Sequence, residues 1–298
     1  MKAWFLAIRP WTLTASLVPI SLGTALAFTE TKLFLWTHFF AALGGGMLLQ
    51  IGANLLNTYS DYVKGVDTIA SAHSCPQLVT GTMTPQAMQQ AARLAVALGT
   101  LLGLWLTYEC GWPIAFCGLI GIIGAYTYTG GPLPYKYRGL GSIFVFFLMG
   151  PLMVWPAYYV QTEVLSFWPI IASLPISFLV AAILHANDLR DLEDDKEAGI
   201  QTLALFLGLN RAMALYFFLY SAAFLSLAAL IAAQLLPLSA AFTFLLAPLA
   251  IKELHSARLA WLGDRTRMIF LVKNTASFHG KLGLLLAFSI FLHNFNSL

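Results

Sequence analysis

Charge is what this sequence has least of. Lys, Arg, Asp and Glu make up 10% of its 298 residues, against 59% hydrophobic ones. With a mean hydropathy of +0.77, that composition excludes a large soluble core and indicates a polytopic membrane protein. Cysteine is scarce too. Cys75, Cys110 and Cys117 form an odd set with no Cys-x-x-Cys, so neither a disulfide framework nor a zinc site is expected, and they read as small apolar filler. The net charge of +3 reads as a membrane-topology bias, with no nucleic-acid partner.

What is abundant is long apolar runs. A helical span needs about 20 mostly apolar residues. Nine segments qualify: 11–29, 38–56, 89–108, 112–128, 140–160, 167–187, 212–234, 237–252 and 276–294, the eighth weakened by Pro237 and Pro248. Nine spans sort the basic residues sharply. Lys2, Arg9, Lys64, Lys136, Arg190 and the other loop cations fall on one side, and Lys32 alone on the other. The positive-inside rule then places the N-terminus and that side in the cytoplasm, in a bacterial inner membrane. Lys2 and Arg9 precede a full-length span with no small-residue cleavage site, so no cleavable signal is expected. The expected fold class is all-α, one membrane domain over residues 1–298.

Against this background two acidic stretches stand out. The first is Asn57-Thr-Tyr-Ser-Asp61-Tyr-Val-Lys64-Gly65-Val-Asp67, and the second is Asn187-Asp188-Leu-Arg190-Asp191-Leu-Glu193-Asp194-Asp195. Both contain Asn-x-x-x-Asp, follow an apolar span and fall on the expected cytoplasmic side. Carboxylates at span ends of a membrane protein mark function. On a helix, Asn187, Asp191 and Asp195 share one face, as do Asn57 and Asp61. Gly65 is expected to end the first helix and let Asp67 fold back. The acids would repel one another and any anionic substrate. Two Mg²⁺ ions shared with a diphosphate, held by Asp61, Asp67, Asp191 and Asp195, resolve that conflict. Lys64, Lys136 and Arg190 would contact the remaining phosphate oxygens. Lys136 lies in the Gly/Pro-rich loop 126–141. Glu193, Asp194 and Glu197 read as surface charges, and His185 as a satisfied interior histidine.

These residues resemble the UbiA superfamily of membrane prenyltransferases, most closely its menaquinone-forming branch. The resemblance rests on Arg9-Pro-Trp, the two acidic motifs, Tyr128-Thr-Gly-Gly131 with Lys136-Tyr137, Gly150-Pro151 and Asp195-Lys-Glu-Ala-Gly199. It implies nine helices around a central cavity, two Mg²⁺ ions, a polyprenyl diphosphate donor and an aromatic acceptor. For this branch the acceptor is 1,4-dihydroxy-2-naphthoate; 4-hydroxybenzoate or another quinone precursor is the alternative. It places Asn57, Asp61, Asp67, Asp191 and Asp195 on metal–diphosphate positions, Lys64, Lys136 and Arg190 on basic positions, and Asn187 on a polar active-site position. The segment His73–Leu78 departs from it by lacking an arginine. A transporter is the rival of another class, but its acids would sit near the bilayer midplane rather than at span ends.

Overall fold

The computed structural model describes residues 2–69, 71–73, 75–132 and 134–295. Its helices are α1 (Lys2–Ala7), α2 (Thr14–Thr31), α3 (Trp36–Val63), α4 (Pro85–Cys110), α5 (Trp112–Thr127), α6 (Gly141–Met149), α7 (Pro151–Thr162), α8 (Trp168–Ala172), α9 (Leu174–Arg190), α10 (Leu192–Glu197), α11 (Leu203–Leu207), α12 (Leu209–Ala232), α13 (Ala247–Trp261) and α14 (Met268–Phe295). A helix satisfies its own backbone groups, which hydrocarbon cannot do.

Seven segments are long and apolar enough to cross a membrane by length and composition: Pro10–Thr31, α3, α4, Gly141–Thr162, α12, Leu238–Trp261 and Arg265–His293. The chain is therefore an all-helical integral membrane protein. α5 is apolar but shorter, and the expected sixth span falls on α8 and α9. The expected count of nine depends on those two segments.

Several boundaries differ from expectation for physical reasons. α3 outlasts the apolar run that ends at residue 56 and stops at Val63, just before Gly65 as expected, so Asn57 and Asp61 ride on the spanning helix itself. The fifth span breaks at Gly150, between α6 and α7, where Pro151 cannot continue the hydrogen-bond ladder. A Cβ at Gly150 would come within 1.9 Å of Ser177 Oγ on α9, so the break is also where α9 crosses. The proline-bearing eighth span opens as a 3-10 helix, Leu238–Leu246, before α13. α13 then runs on to Trp261, beyond the expected end.

α2 is the central helix and packs on α7 and α14. Small residues permit this in a membrane, where close backbone approach replaces the hydrophobic drive. A Cβ on Gly23 would lie 2.3 Å from the Val154 carbonyl oxygen, and one on Gly283 would lie 2.1 Å from Val18 Cγ1. Helices α2 to α7 and α9 surround a cavity of about 460 Å³. Its polar end carries Arg9, Asn57, Tyr128 and Asn187, and Ala41, Leu106, Ile114 and Val160 line its far end.

Candidate functional site

The first acidic stretch is shaped by the end of α3. Gly65 takes φ +72°, and the backbone N–H groups of Val66 and Asp67 both donate to the Asp61 carbonyl, at 2.8 and 3.2 Å. The chain turns back and sets Asp67 near Asp61, as the glycine predicted. Burial first, and the Asp61 charge second, push the Asp67 carboxyl up to about 6.

The second stretch spans a junction. Asp191 leaves the helical region (φ −93°, ψ 10°) and separates α9 from α10. Helical hydrogen bonds nonetheless continue across it: Asp191 N–H donates to the Asn187 carbonyl at 3.0 Å, and Asp195 N–H to the Asp191 carbonyl at 2.8 Å. The four-residue spacing thus survives the break. Arg190 grips Asp191 with two charge-assisted bonds, Nε to Oδ1 and Nη2 to Oδ2, both 2.6 Å, and its Nη2 also donates to Asn187 Oδ1 at 2.9 Å.

Lys136 reaches the first stretch from the 126–141 loop. Its ammonium lies 2.6 Å from Asp61 Oδ2 and 3.1 Å from Asn57 Oδ1. The Tyr137 hydroxyl donates to Asp61 Oδ1 at 2.5 Å. Burial opposes the Lys136 ammonium, but Asp61 outweighs it and holds the lysine above its ordinary pKa. The two stretches meet electrostatically at Asp195. Its carboxyl is pushed up to about 7, by burial first, then by Asp191, with Asp61 adding to this and Lys136 opposing. Lys64 goes elsewhere: its ammonium donates to the Thr129 carbonyl at 2.7 Å and sits 4.3 Å from the Tyr137 ring centroid. It braces the middle loop. His185 is interior as expected but only half satisfied: Nε2 lies 2.7 Å from the Ala212 carbonyl oxygen, and Nδ1 has no partner among the described residues.

Three participants escaped the sequence reading. Arg9 has a left-handed backbone (φ 53°); its Nη2 donates to Thr58 Oγ1 at 2.9 Å, and its buried Nε has no partner among the described residues. Its place in the Arg9-Pro-Trp motif was the available signal. Tyr137 adjoins Lys136 in the sequence, and that adjacency was its only signal. His73 pairs with Asp194 at 3.1 Å, and with Asp191 they bring three ligand-type atoms within 4.8 Å of one another. Asp194 thus has a partner that only the juxtaposition of distant loops reveals.

The donors here are carboxylate and amide oxygens, and burial first, then neighbouring carboxylates, raises two of the acids to about 6 and about 7. That set fits a hard divalent cation, which would relieve the repulsion.

Known proteins share this architecture. A UbiA homolog from Aeropyrum pernix K1 superimposes with a TM-score of 0.69 at 18% identity, covering 95% of this chain and 97% of that one. A UbiA homolog from Archaeoglobus fulgidus, solved bound to DMAPP and Mg²⁺, gives 0.65 at 15% identity, over 97% and 99% of the two chains. Among curated relatives, the 1,4-dihydroxy-2-naphthoate octaprenyltransferase of Bacillus subtilis (strain 168) is 39% identical over 207 residues, 70% of this chain and 66% of the relative. UbiA prenyltransferase domain-containing protein 1 of Rattus norvegicus is 36% identical over 218 residues, 72% of this chain and 63% of the relative. The match thus spans just under two thirds of these relatives' length. The model of the UbiA prenyltransferase family matches residues 16–274, and on that extent the chain belongs to the UbiA prenyltransferase family.

Proposed function

We propose that this protein is a Mg²⁺-dependent polyprenyltransferase, moving the prenyl group of a polyprenyl diphosphate to an aromatic acceptor, 1,4-dihydroxy-2-naphthoate, on the cytoplasmic side of the membrane. The observation that carries this reading is the convergence of both acidic stretches with Lys136 at the polar end of an apolar cavity. The identity to the Bacillus subtilis enzyme favours naphthoate over 4-hydroxybenzoate as acceptor.

In this reading Asp61 and Asp67 would hold one Mg²⁺, and Asp191 and Asp195 a second. The ions supply charge neutralisation as the allylic C1–O bond breaks. Lys136 and Arg190 exchange carboxylate partners for phosphate oxygens and stabilise the charge growing on the leaving group. Asn57 and Asn187, both lining the cavity, orient the diphosphate at its mouth. The apolar walls keep water from the allylic cation, and Tyr128 and Tyr135, which also line the cavity, offer it ring faces. A ring carbon of the acceptor bonds to C1. With dihydroxynaphthoate the carboxyl group leaves as carbon dioxide.

The test is purified protein with labelled allylic diphosphate, Mg²⁺ and each acceptor in turn. Release of pyrophosphate that requires dihydroxynaphthoate is expected. Release with 4-hydroxybenzoate alone replaces the acceptor, and release with neither overturns the reading.

A further inference from the structure

The two acidic stretches share an asymmetry. In each, the aspartate of Asn-x-x-x-Asp is closed by a cation, and the second expected metal ligand is open. Asp61 has one oxygen on the Lys136 ammonium at 2.6 Å and the other on the Tyr137 hydroxyl at 2.5 Å. Asp191 has both oxygens on the Arg190 guanidinium, each at 2.6 Å, and its Oδ2 accepts a further bond from Asn187 Nδ2 at 3.1 Å. Asp67 and Asp195 make no side-chain hydrogen bond or ion pair among the described residues.

Burial gives the closing pairs their weight. The side chains of Lys136 and Asp61 are 9% and 5% exposed, and those of Arg190 and Asp191 8% and 16%. A metal ion that took Asp191 by itself would strand the Arg190 guanidinium in that setting, and one that took Asp61 would strand the Lys136 ammonium. A buried charge left without its partner is strongly disfavoured. A diphosphate changes the balance. Its oxygens accept from a guanidinium fork and from an ammonium, so both cations stay paired while both closed carboxylates come free.

We propose that Arg190 and Lys136 are counterions that hold the Asn-x-x-x-Asp carboxylates closed to a metal ion until a diphosphate draws them off, so that divalent metal and diphosphate enter and leave the site together. This rests on the transferase reading above and gives the same two cations a task before any bond breaks. Linkage makes the coupling reciprocal: the diphosphate raises metal affinity by the factor by which the metal raises diphosphate affinity. Removing Arg190 then acts in the sense opposite to deleting a ligand. Metal affinity rises when no diphosphate is added, and the gain that diphosphate brings shrinks.

The experiment measures binding, not turnover. Mn²⁺ is titrated into the full chain in detergent and the unbound ion is followed by electron paramagnetic resonance, without and with geranyl S-thiolodiphosphate, a donor that does not react. Affinities are corrected for the Mn²⁺ that this diphosphate binds in solution. Wild type is expected to bind Mn²⁺ about tenfold or more tighter with the diphosphate than without it. Arg190→Gln is expected to bind Mn²⁺ alone about tenfold tighter than wild type and to gain less than about threefold from the diphosphate. Lys136→Met repeats the comparison at the first stretch, with a change in the same direction, and decides the matter if Arg190→Gln does not fold. Lys64→Gln is the control, because Lys64 donates to the Thr129 carbonyl and closes no acid; its Mn²⁺ affinity is expected to stay at the wild-type value. No rise in Arg190→Gln and Lys136→Met, an equal rise in Lys64→Gln, or a wild type indifferent to the diphosphate overturns the proposal. Wild type that binds Mn²⁺ in neither condition defeats the metal-dependent transferase reading, and the proposal with it.

Discussion

Both oxygens of the buried Asp61 are engaged, one by Lys136 and one by Tyr137. Lys136 and Asp61 form an ion pair with side chains 9% and 5% exposed. Removing one member of such a pair strands a buried charge and costs about 3–5 kcal/mol. Asp61→Asn is therefore expected to lose more than about nine tenths of its transfer activity and to melt well below wild type. Pairing it with Lys136→Met should recover most of the melting temperature and none of the activity, as a double-mutant cycle would report. A double variant no more stable than Asp61→Asn would show that the pair is not the source of the loss. Lys136→Ala alone should lower kcat in single-turnover kinetics more than it weakens diphosphate binding, since the ammonium matters most as charge builds on the leaving group. An unchanged kcat would leave Lys136 as a topology anchor. The acids and Lys136 were legible because their spacing and loop composition are local properties. Arg9 with Thr58, Tyr137 with Asp61 and His73 with Asp194 were not, since each joins residues far apart in sequence.

Elements place these residues, and they differ in how far the sequence disclosed them. Hydropathy located the helices, and Gly65 showed where α3 ends, but neither that Gly150 splits the fifth span nor that the eighth span opens as a 3-10 helix could be read from it. Both depend on what packs alongside. The close crossing of α2 over α7 is of the same kind: Gly23→Ala would drive a Cβ to 2.3 Å from the Val154 carbonyl oxygen. Such overpacking costs about 1–3 kcal/mol, so a lowered melting temperature is expected, and an unchanged one would mean the helices separate freely. The turn after α3 and helix α10 have a pH signature. Asp67 and Asp195 are raised to about 6 and about 7. The folded chain then keeps protons that the unfolded chain releases above about pH 4. These two groups therefore make the ligand-free protein less stable as pH rises from about 4 through about 7, the reverse of a salt-bridged aspartate. A hard cation binds the deprotonated forms, so the melting shift produced by Mg²⁺ with pyrophosphate should grow between pH 5.5 and 8. A shift that is flat or shrinks over that range would count against Asp67 and Asp195 as ligands.

For the whole molecule, the question is which way the site faces. The fold gathers its chemistry at one end. The C-termini of α3 and α9 meet there, His73 joins Asp194 across two long connections, and Arg138 bridges to Gln201. Loop cations collect at that end in the expected nine-span arrangement, with Lys32 alone at the other. Lysine and arginine are retained on the cytoplasmic side during insertion, so the site should open to the cytoplasm. The prediction can be read with single cysteines in a background where Cys75, Cys110 and Cys117 are replaced. Ile69, 83% exposed, and Glu197 report the acidic end, while Leu165, 66% exposed between α7 and α8, reports the opposite end. A membrane-impermeant maleimide on intact cells should label position 165 at once, and positions 69 and 197 only after the membrane is opened. Labelling of 69 and 197 from outside would invert the topology. Labelling of only one of those two would separate the acidic stretches across the membrane, and a site built from both could not exist.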